Sequence, residues 1–163
     1  MNTDLIDIKI RAVEGGVTAA AGFKAAGIHA GFRKNPERLD YALVVPDKPC
    51  PGAGVFTTNR FCAAPVQVSR ANLGGADKGY GIIAGVSINS GNANAATGET
   101  GLACARETCN IASQVIGCEP QQILVASTGV IGQILPIDTF EAASRPPTRR
   151  SLPMAVPMRP VPS

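Results

Sequence analysis

The sequence predicts an α+β protein built from mixed layers of sheet and helix. Short runs of β-branched and other apolar residues recur along the chain, separated by glycine- and proline-rich segments. One long stretch near residue 100 carries apolar side chains at helical spacing, and a further apolar run follows it. Strand, helix and strand in that order are typical of layered sheet and helix. They allow a parallel crossover, although periodicity alone does not prove one.

Short local patterns predict the elements of the first half of the chain. The segment 15–23 is rich in glycine and alanine and predicts a loop that leads into a closely packed strand or turn. Residues 40–46 predict a buried strand that the proline at its end terminates. The next segment, 47–54, predicts a loop. Clustered β-branched and aromatic residues predict a strand over 54–59, and alternation predicts a half-exposed strand over 65–69.

The second half predicts two strands on either side of a helix. A polar, glycine-rich turn is expected over 73–81. The apolar run 81–89 predicts a strand, and it continues into a loop of amides and small residues, 90–95. After the helix, residues 122–126 predict another strand and residues 127–129 a turn.

The segment from about Gly98 to Ile116 is the clearest helix. Its apolar side chains recur at spacings of three and four, which defines one buried face. Thr97 or Thr100 is a candidate N-cap, and Gly117 occupies the position at which glycine commonly ends a helix.

Charge and hydropathy exclude several classes of function. The formal net charge is +3, yet residues 1–138 carry eleven basic and eleven acidic side chains, so the excess lies in residues 139–163. The body of the protein therefore has no electrostatic basis for binding nucleic acid. No apolar run approaches the roughly 20 residues that span a bilayer, and the first residues lack the apolar core of a signal peptide. We expect a cytoplasmic protein that does not engage a membrane, or one of an organelle matrix if the true N-terminus lies upstream.

The cysteines predict free, largely buried thiols. Five cysteines without a secretory signal argue against a disulfide framework. Cys104 and Cys109 lie five residues apart on the predicted helix, and the single histidine, His29, is distant in sequence, so no zinc site is expected. The glycines match neither a dinucleotide fingerprint nor a phosphate-binding loop, so no nucleotide cofactor is expected either.

The end of the chain has a different composition. Residues 144–163 hold six of the thirteen prolines and four arginines but no glycine. Proline blocks helices and central strands, so we expect a globular part over 1–138 and a disordered tail over 139–163. A shifted reading frame after Asp138 would produce such an abrupt change. The functional alternatives are a proline-rich ligand and a basic arm.

Residues 125–132, VASTGVIG, carry the main chemical signal. The hydroxyl of Thr128 and the backbone amide of Gly129 directly follow a short apolar strand. Two donors aimed at one point can hold a negatively charged oxygen, as acyl transfer requires. The structural alternative is a simple strand-ending turn, in which the same residue types are common.

Six segments in order, with their spacing, resemble the ornithine acetyltransferase family, the bifunctional glutamate N-acetyltransferases of arginine biosynthesis. The matching segments are GVTA at 16–19, GFKAAGI at 22–28, GVFTTN at 54–59, AAPV at 63–66, NSGNANA with TG over 89–98, and VASTGVIG at 125–132. The resemblance covers residues 13–138 and about a third of a family precursor.

The resemblance implies the layered αββα fold of a self-cleaving enzyme, here in its N-terminal part only. Family precursors cleave themselves between an alanine and a threonine, and that threonine becomes the catalytic nucleophile of a second chain. Its own α-amine takes the hydroxyl proton, so no separate histidine is needed. The acetyl group passes from N-acetylornithine to the threonine and then to glutamate. Some members also use acetyl-coenzyme A, and the α and β chains assemble as a heterotetramer.

Within this resemblance, the oxyanion hole of the family falls on Thr128 and Gly129. The motifs that carry the cleavage site and the remaining substrate ligands are absent between Thr139 and Ser163, so the chain has no nucleophile and is expected to be inactive alone. Without the missing part, we also expect unpaired strand edges, exposed apolar faces and aggregation.

The other polar residues have structural explanations at this level. His29 is expected to be a structural histidine, Lys24 a surface charge, and the amides of residues 89–94 partners of turn backbone. The alternative to an enzyme fragment is a non-catalytic binding protein, in which a folded body presents the basic, proline-rich tail to partners.

Overall fold

The computed structural model of the protein describes residues 12–75 and 77–144, with only the backbone of Ser144. Residues 145–163, and with them most of the expected tail, lie outside the described residues. The described part contains six strands and three α-helices: β1 (Phe23–Ile28), β2 (Tyr41–Pro46), β3 (Cys50–Ala53), α1 (Ala64–Asn72), β4 (Tyr80–Ile83), β5 (Gly85–Asn92), α2 (Gly98–Ile116), β6 (Ile123–Val130) and α3 (Ile137–Ser144). Two 3-10 turns occupy Gly16–Ala19 and Pro120–Gln122.

A four-stranded mixed sheet in the order β1-β2-β5-β6 organises the fold. β1 pairs with β2 and β2 with β5 in antiparallel fashion, whereas β5 and β6 are parallel. Parallel neighbours need a long connection, and α2 supplies it, so the crossover that the sequence allowed is present. β3 and β4 form a separate antiparallel pair.

All three helices pack on one face of the four-stranded sheet. One core cluster joins α1 and α2 to the side chains of Ile123 and Val125 on β6. A second joins α2 and α3 to Tyr41 on β2, where Phe140 is 1% exposed and meets the Tyr41 ring edge-on at 5.2 Å. The fold is therefore mixed α/β, as the sequence predicts.

The opposite face of this sheet has no helix on it within the described residues. Its side chains belong to neither core cluster. They are half-buried or exposed and mostly apolar: Ala42, Val44, Val86, Ile88, Leu124 and Ala126. This set, with the exposed Thr128 at its end, is called the open face below.

Several predicted elements are confirmed by the backbone. β2 ends at Pro46, and α2 covers the predicted range and ends at Gly117 in a left-handed conformation. Thr97, one of the two predicted N-cap residues, occupies the N-cap position, but its hydroxyl makes no capping hydrogen bond and instead donates to the Asn94 side chain at 2.8 Å. The strand expected from residue 122 is β6.

The strand predicted over 65–69 is wrong, since these residues lie in α1. A five-residue alternation is too short to separate the two periods. The buried positions are Ala64, Pro65, Val68 and Ser69, which is helical spacing, and Pro65 stands at the start of the helix, where its missing N–H costs nothing.

The strand predicted over 54–59 is also wrong, and the loop predicted over 47–54 is interrupted by the strand over 50–53. The strand here is β3, paired with β4, whereas Val55 is fully exposed and lies outside any strand. β-branched composition favours a strand only where a partner and a buried face exist. Gly52 supplies the needed space, because a Cβ there would lie 2.8 Å from the side chain of Ile83.

Four other boundaries differ from expectation. The single strand expected over 81–89 is divided at Ala84 between two sheets. The loop expected at 90–95 begins later, since β5 runs to Asn92, and the turn expected at 127–129 is part of β6. The packed region also continues past Asp138, because α3 buries Phe140.

Candidate functional site

The free edge of β6 is closed over its first half and open over its second half. β6 is the last strand of the sheet, so one side of its backbone has no strand neighbour. At Val125, the Ser69 side chain of α1 takes the place of a neighbouring strand. Its hydroxyl accepts the Val125 N–H and donates to the Val125 carbonyl, both at 2.9 Å. Asn72 donates to the Ile123 carbonyl at 2.6 Å. Side chains of α1 thus satisfy the edge up to Val125.

Backbone alternation leaves the Gly129 N–H on the open part of this edge. In a strand, main-chain groups of successive residues point to opposite sides. Val125 points outward to Ser69, while the carbonyls of Gln122 and Val130 point inward to Ala84 and Ala93. Gly129 lies an even number of residues after Val125, so its main-chain groups point to the same side and its N–H faces away from β5.

The side chain of Thr128 lies on the open face of the sheet. It follows Leu124 and Ala126 on that face, whereas Ile123 and Val125 face the helices. Both Thr128 and Gly129 are exposed. The side chain of Thr128 and the N–H of its neighbour Gly129 therefore both border one corner of the sheet, where the open face reaches the open edge.

A close approach of two glycines builds this corner. Gly91 of β5 is the register partner of Gly129, and both have positive φ, +124° and +136°. A Cβ on Gly129 would overlap the Gly91 backbone, and a Cβ on Gly91 would lie 2.8 Å from the Phe32 carbonyl oxygen. No L side chain fits either position without backbone movement, so the glycines are needed for the shape of the corner.

The amides of residues 89–94 hold the backbone beside the corner, as predicted from the sequence. Asn92 donates to the carbonyls of Gln133 and Ile134 and accepts from the Asn94 N–H. The fully buried Asn94 donates to the Gly101 carbonyl at 2.8 Å. This network ties the carboxyl-terminal end of β5 and the segment after β6 to the first turn of α2.

His29 is structural in this arrangement, and its contacts lead to the buried Asp40. Its Nδ1 lies 3.0 Å from the Arg38 carbonyl and 3.4 Å from the Asp40 carboxylate. Asp40 accepts the N–H groups of Ala30, Gly31 and Arg33 at 2.6, 3.3 and 2.8 Å. Burial alone would raise the pKa of Asp40, but these hydrogen bonds and His29 lower it on balance.

Lys24 is a surface charge, as expected, and pairs with Asp47 at 2.7 Å. All five cysteines are free, but the expected burial holds only for Cys109, since the other four are partly exposed. Burial raises the pKa of the Cys109 thiol to about 11, which makes it unreactive. Among the described residues, no group of three or more His, Cys, Asp or Glu side chains is placed to hold a metal ion. None of the described helices is both long and apolar enough to cross a bilayer.

The candidate pair does not lie in an enclosed cavity. A cavity of about 150 Å³ is present near the start of α2, but it is lined by residues of the segments 60–67 and 96–102 and excludes Thr128 and Gly129. The corner of the sheet is thus one wall of a site rather than a complete pocket.

Sequence reasoning missed three residues that shape this wall: Asp40, Arg33 and Ser69. The Arg33 guanidinium donates to the Ser90 hydroxyl through Nε at 3.1 Å and Nη2 at 2.6 Å. A single carboxylate at the start of a buried strand was a usable signal for Asp40. The partners of Arg33 and Ser69 lie 57 and 56 residues away in sequence, so no local pattern indicates them.

The comparisons with known proteins agree with this fold. The ArgJ family model matches residues 24–153. An arginine biosynthesis bifunctional protein ArgJ of Dehalococcoides mccartyi is 46% identical over 129 residues, which cover 78% of this chain and 31% of that protein. A chloroplastic ArgJ of Ostreococcus lucimarinus is 44% identical over 82% of this chain and 28% of its own length. The chain spans about a third of the length of these curated relatives.

Two solved structures have the same architecture. The crystal structure of ArgJ from Bacillus halodurans aligns with a TM-score of 0.71 and 35% identity, over 79% of this chain and 64% of that one. The ornithine acetyltransferase of Mycobacterium tuberculosis, complexed with ornithine, aligns with a TM-score of 0.72 and 38% identity, over 80% of this chain and 67% of that one.

Proposed function

Since this chain belongs to the ArgJ family, we propose that it is the N-terminal third of a glutamate N-acetyltransferase that takes its acetyl group from N-acetylornithine. The observation that supports the proposal is the corner of the sheet that the Thr128 side chain and the outward Gly129 N–H both border. The ornithine bound to the Mycobacterium tuberculosis structure supports the substrate class.

Thr128 and Gly129 act in this proposal as the oxyanion hole. When a hydroxyl attacks the acetyl carbonyl carbon, the carbonyl electrons move to its oxygen, and the two donors stabilise the resulting negative charge. One such donor is typically worth about 2.7–4 kcal/mol of the barrier. The β5–β6 ladder fixes the backbone of both residues, so the Gly129 N–H and the Cα of Thr128 are in place before the substrate arrives.

The attacking hydroxyl is proposed to come from a part of the family protein that this chain does not contain. It belongs to a threonine at the start of a second chain, whose α-amine takes the hydroxyl proton and returns it to the departing amine. The acetyl-threonine then transfers its acetyl group to the amine of glutamate. The chain alone is therefore proposed to be inactive, and no cofactor is required; acetyl-coenzyme A remains an alternative donor.

The open face and the open edge are proposed to meet the rest of the protein. An apolar sheet face and an unpaired edge are costly in water and are normally covered. We assign this cover to the missing two thirds of a family protein, in a heterotetramer of α and β chains. A cytoplasmic location completes the proposal. No observation among the described residues favours the non-catalytic binding protein.

A chimera tests the proposal. Residues 24–136 of this chain, which end before α3, replace the matching part of the bacterial relative that is 46% identical. We expect acetyl transfer from N-acetylornithine to glutamate. Thr128→Val should lower kcat about 10²–10³-fold, whereas the matched control Thr128→Ser keeps the hydroxyl and most of the activity. A folded chimera that transfers no acetyl group would refute the proposed function.

A further inference from the structure

A closed ring of hydrogen bonds fixes one cation beside the candidate oxyanion hole. The Asp40 carboxylate accepts the Arg33 N–H, the Arg33 guanidinium donates twice to the Ser90 hydroxyl, and the Ser90 N–H donates to the Asp40 carbonyl at 2.8 Å. Asp40 is 2% exposed, so the ring has a buried anchor. Arg33 itself is half-buried and is held in one orientation.

This ring places the guanidinium on the open face. Ser90 is the register partner of Thr128 on the neighbouring parallel strand. Register partners share a face, and adjacent strands lie about 4.8 Å apart. The hydroxyl that holds Arg33 is thus one strand spacing from Thr128, on the same side of the sheet.

The guanidinium has donors to spare. Nε and Nη2 both use the Ser90 oxygen, so the edge formed by Nη1 and Nη2 remains available. Within residues 12–75 and 77–144, no carboxylate lies within 4.0 Å of this guanidinium, since the ion pairs there join other residues. A free, preoriented Nη1–Nη2 edge matches the two oxygens of a carboxylate.

We propose that Arg33 binds the α-carboxylate of the amino-acid substrates, an inference that rests on the proposed function. The acetyl group to be transferred is attached to an α-nitrogen in both N-acetylornithine and N-acetylglutamate. The α-carboxylate carbon is therefore three bonds from the reacting carbonyl carbon, about 3–4 Å at normal bond lengths. That short separation allows one molecule to reach both a guanidinium held by Ser90 and a donor on Thr128, which lie on neighbouring strands about 4.8 Å apart. One guanidinium thus serves donor and acceptor alike.

Arginine modification of the full chain tests this assignment. Phenylglyoxal labelling is followed residue by residue by mass spectrometry, with glutamate or N-acetylornithine present at tens of millimolar. We expect either acid to slow labelling of Arg33 at least threefold relative to chloride at equal ionic strength, whereas the corresponding α-amides should not. Arg70, which donates to the Thr57 carbonyl and lies over the Phe56 ring, is the internal control and should be unaffected.

Substitution of Ser90 separates the effect of orienting the Arg33 guanidinium from the effect of its charge. Ser90→Ala keeps Arg33 but removes the acceptor that orients it, so protection should fall while the far-UV circular dichroism stays unchanged. Ser90→Thr keeps the hydroxyl and should retain protection. Equal labelling of Arg33 in the presence of the acids and their amides would overturn the assignment.

The chimera distinguishes this inference from the proposed function. Arg33→Gln there should raise KM for both N-acetylornithine and glutamate at least tenfold with a smaller change in kcat, and Arg33→Lys should recover part of the loss. An active chimera whose KM values do not respond to Arg33→Gln refutes the carboxylate role and leaves the function standing. An inactive chimera combined with clear protection of Arg33 refutes the function and leaves the anion site standing.

Discussion

Replacement of Gly129 by alanine tests the close approach that shapes the candidate site. Gly129 has φ +136°, which is unfavourable for any L side chain, and a Cβ there would overlap the Gly91 backbone and lie 2.5 Å from the Asn92 nitrogen. Backbone strain of this kind costs about 1–3 kcal/mol, and forcing an extra carbon against packed atoms costs about 1–3 kcal/mol more. We expect Gly129→Ala to lower the free energy of unfolding by about 2–6 kcal/mol, a large part of a normal domain stability.

Gly132→Ala is the matched control. Gly132 also has positive φ, +81°, but no heavy atom lies within 4 Å of a Cβ placed there. It therefore pays the backbone cost of about 1–2 kcal/mol alone. Urea unfolding is followed by far-UV circular dichroism at low micromolar concentration, because the chain has no tryptophan. Equal midpoints for the two variants would show that the strands are further apart than described and would refute the reasoning.

Three further predictions concern the pH response, a thiol and the open face. Because folding lowers the pKa of Asp40 below 3.8, its carboxylate stabilises the fold above that pH and loses this effect as pH falls through the folded pKa. The urea midpoints measured at pH 5 and pH 3 should therefore differ more in the wild type than in Asp40→Asn. Equal differences in the two proteins would contradict the role of Asp40. With a pKa of about 11, the buried Cys109 thiol should be the last of the five to react with iodoacetamide at pH 8 under native conditions, as peptide mass mapping can show. The isolated chain should self-associate through the open face in sedimentation velocity at tens of micromolar, and Val86→Thr with Ile88→Thr should weaken this association; a monomer at all concentrations would argue against an uncovered face.

Local patterns predicted the elements that local physics determines. The α2 helix is long, strongly periodic and ended by a glycine, so its range follows from the sequence alone. The range of α1 does not follow from the sequence alone. Its five alternating residues fit both the strand period and the helix period, and only burial against β6 decides between them. The β3–β4 pair depends on partners about thirty residues apart, which explains why a strand was expected at 54–59 instead.

Some features of the candidate site could likewise be predicted from the sequence, and others could not. Thr128 and Gly129 could be named from residue types and from the family resemblance, but their orientation could not. It depends on Ser69 closing the edge at Val125 and on Gly91 admitting Gly129, contacts that join residues far apart in sequence. Arg33 was missed for the same reason, since its guanidinium is oriented by the hydroxyl of Ser90, which is distant in sequence.

An acetyl-transfer assay on the purified 163-residue chain, run beside the chimera, tests the central claim most directly. That claim is that this polypeptide supplies the oxyanion-stabilising wall and none of the attacking groups. We predict that the chain alone produces no N-acetylglutamate above the blank, while the chimera turns over and depends on the Thr128 hydroxyl. Turnover by the chain alone at the rate of the chimera would contradict the account, because a nucleophile would then lie within these residues.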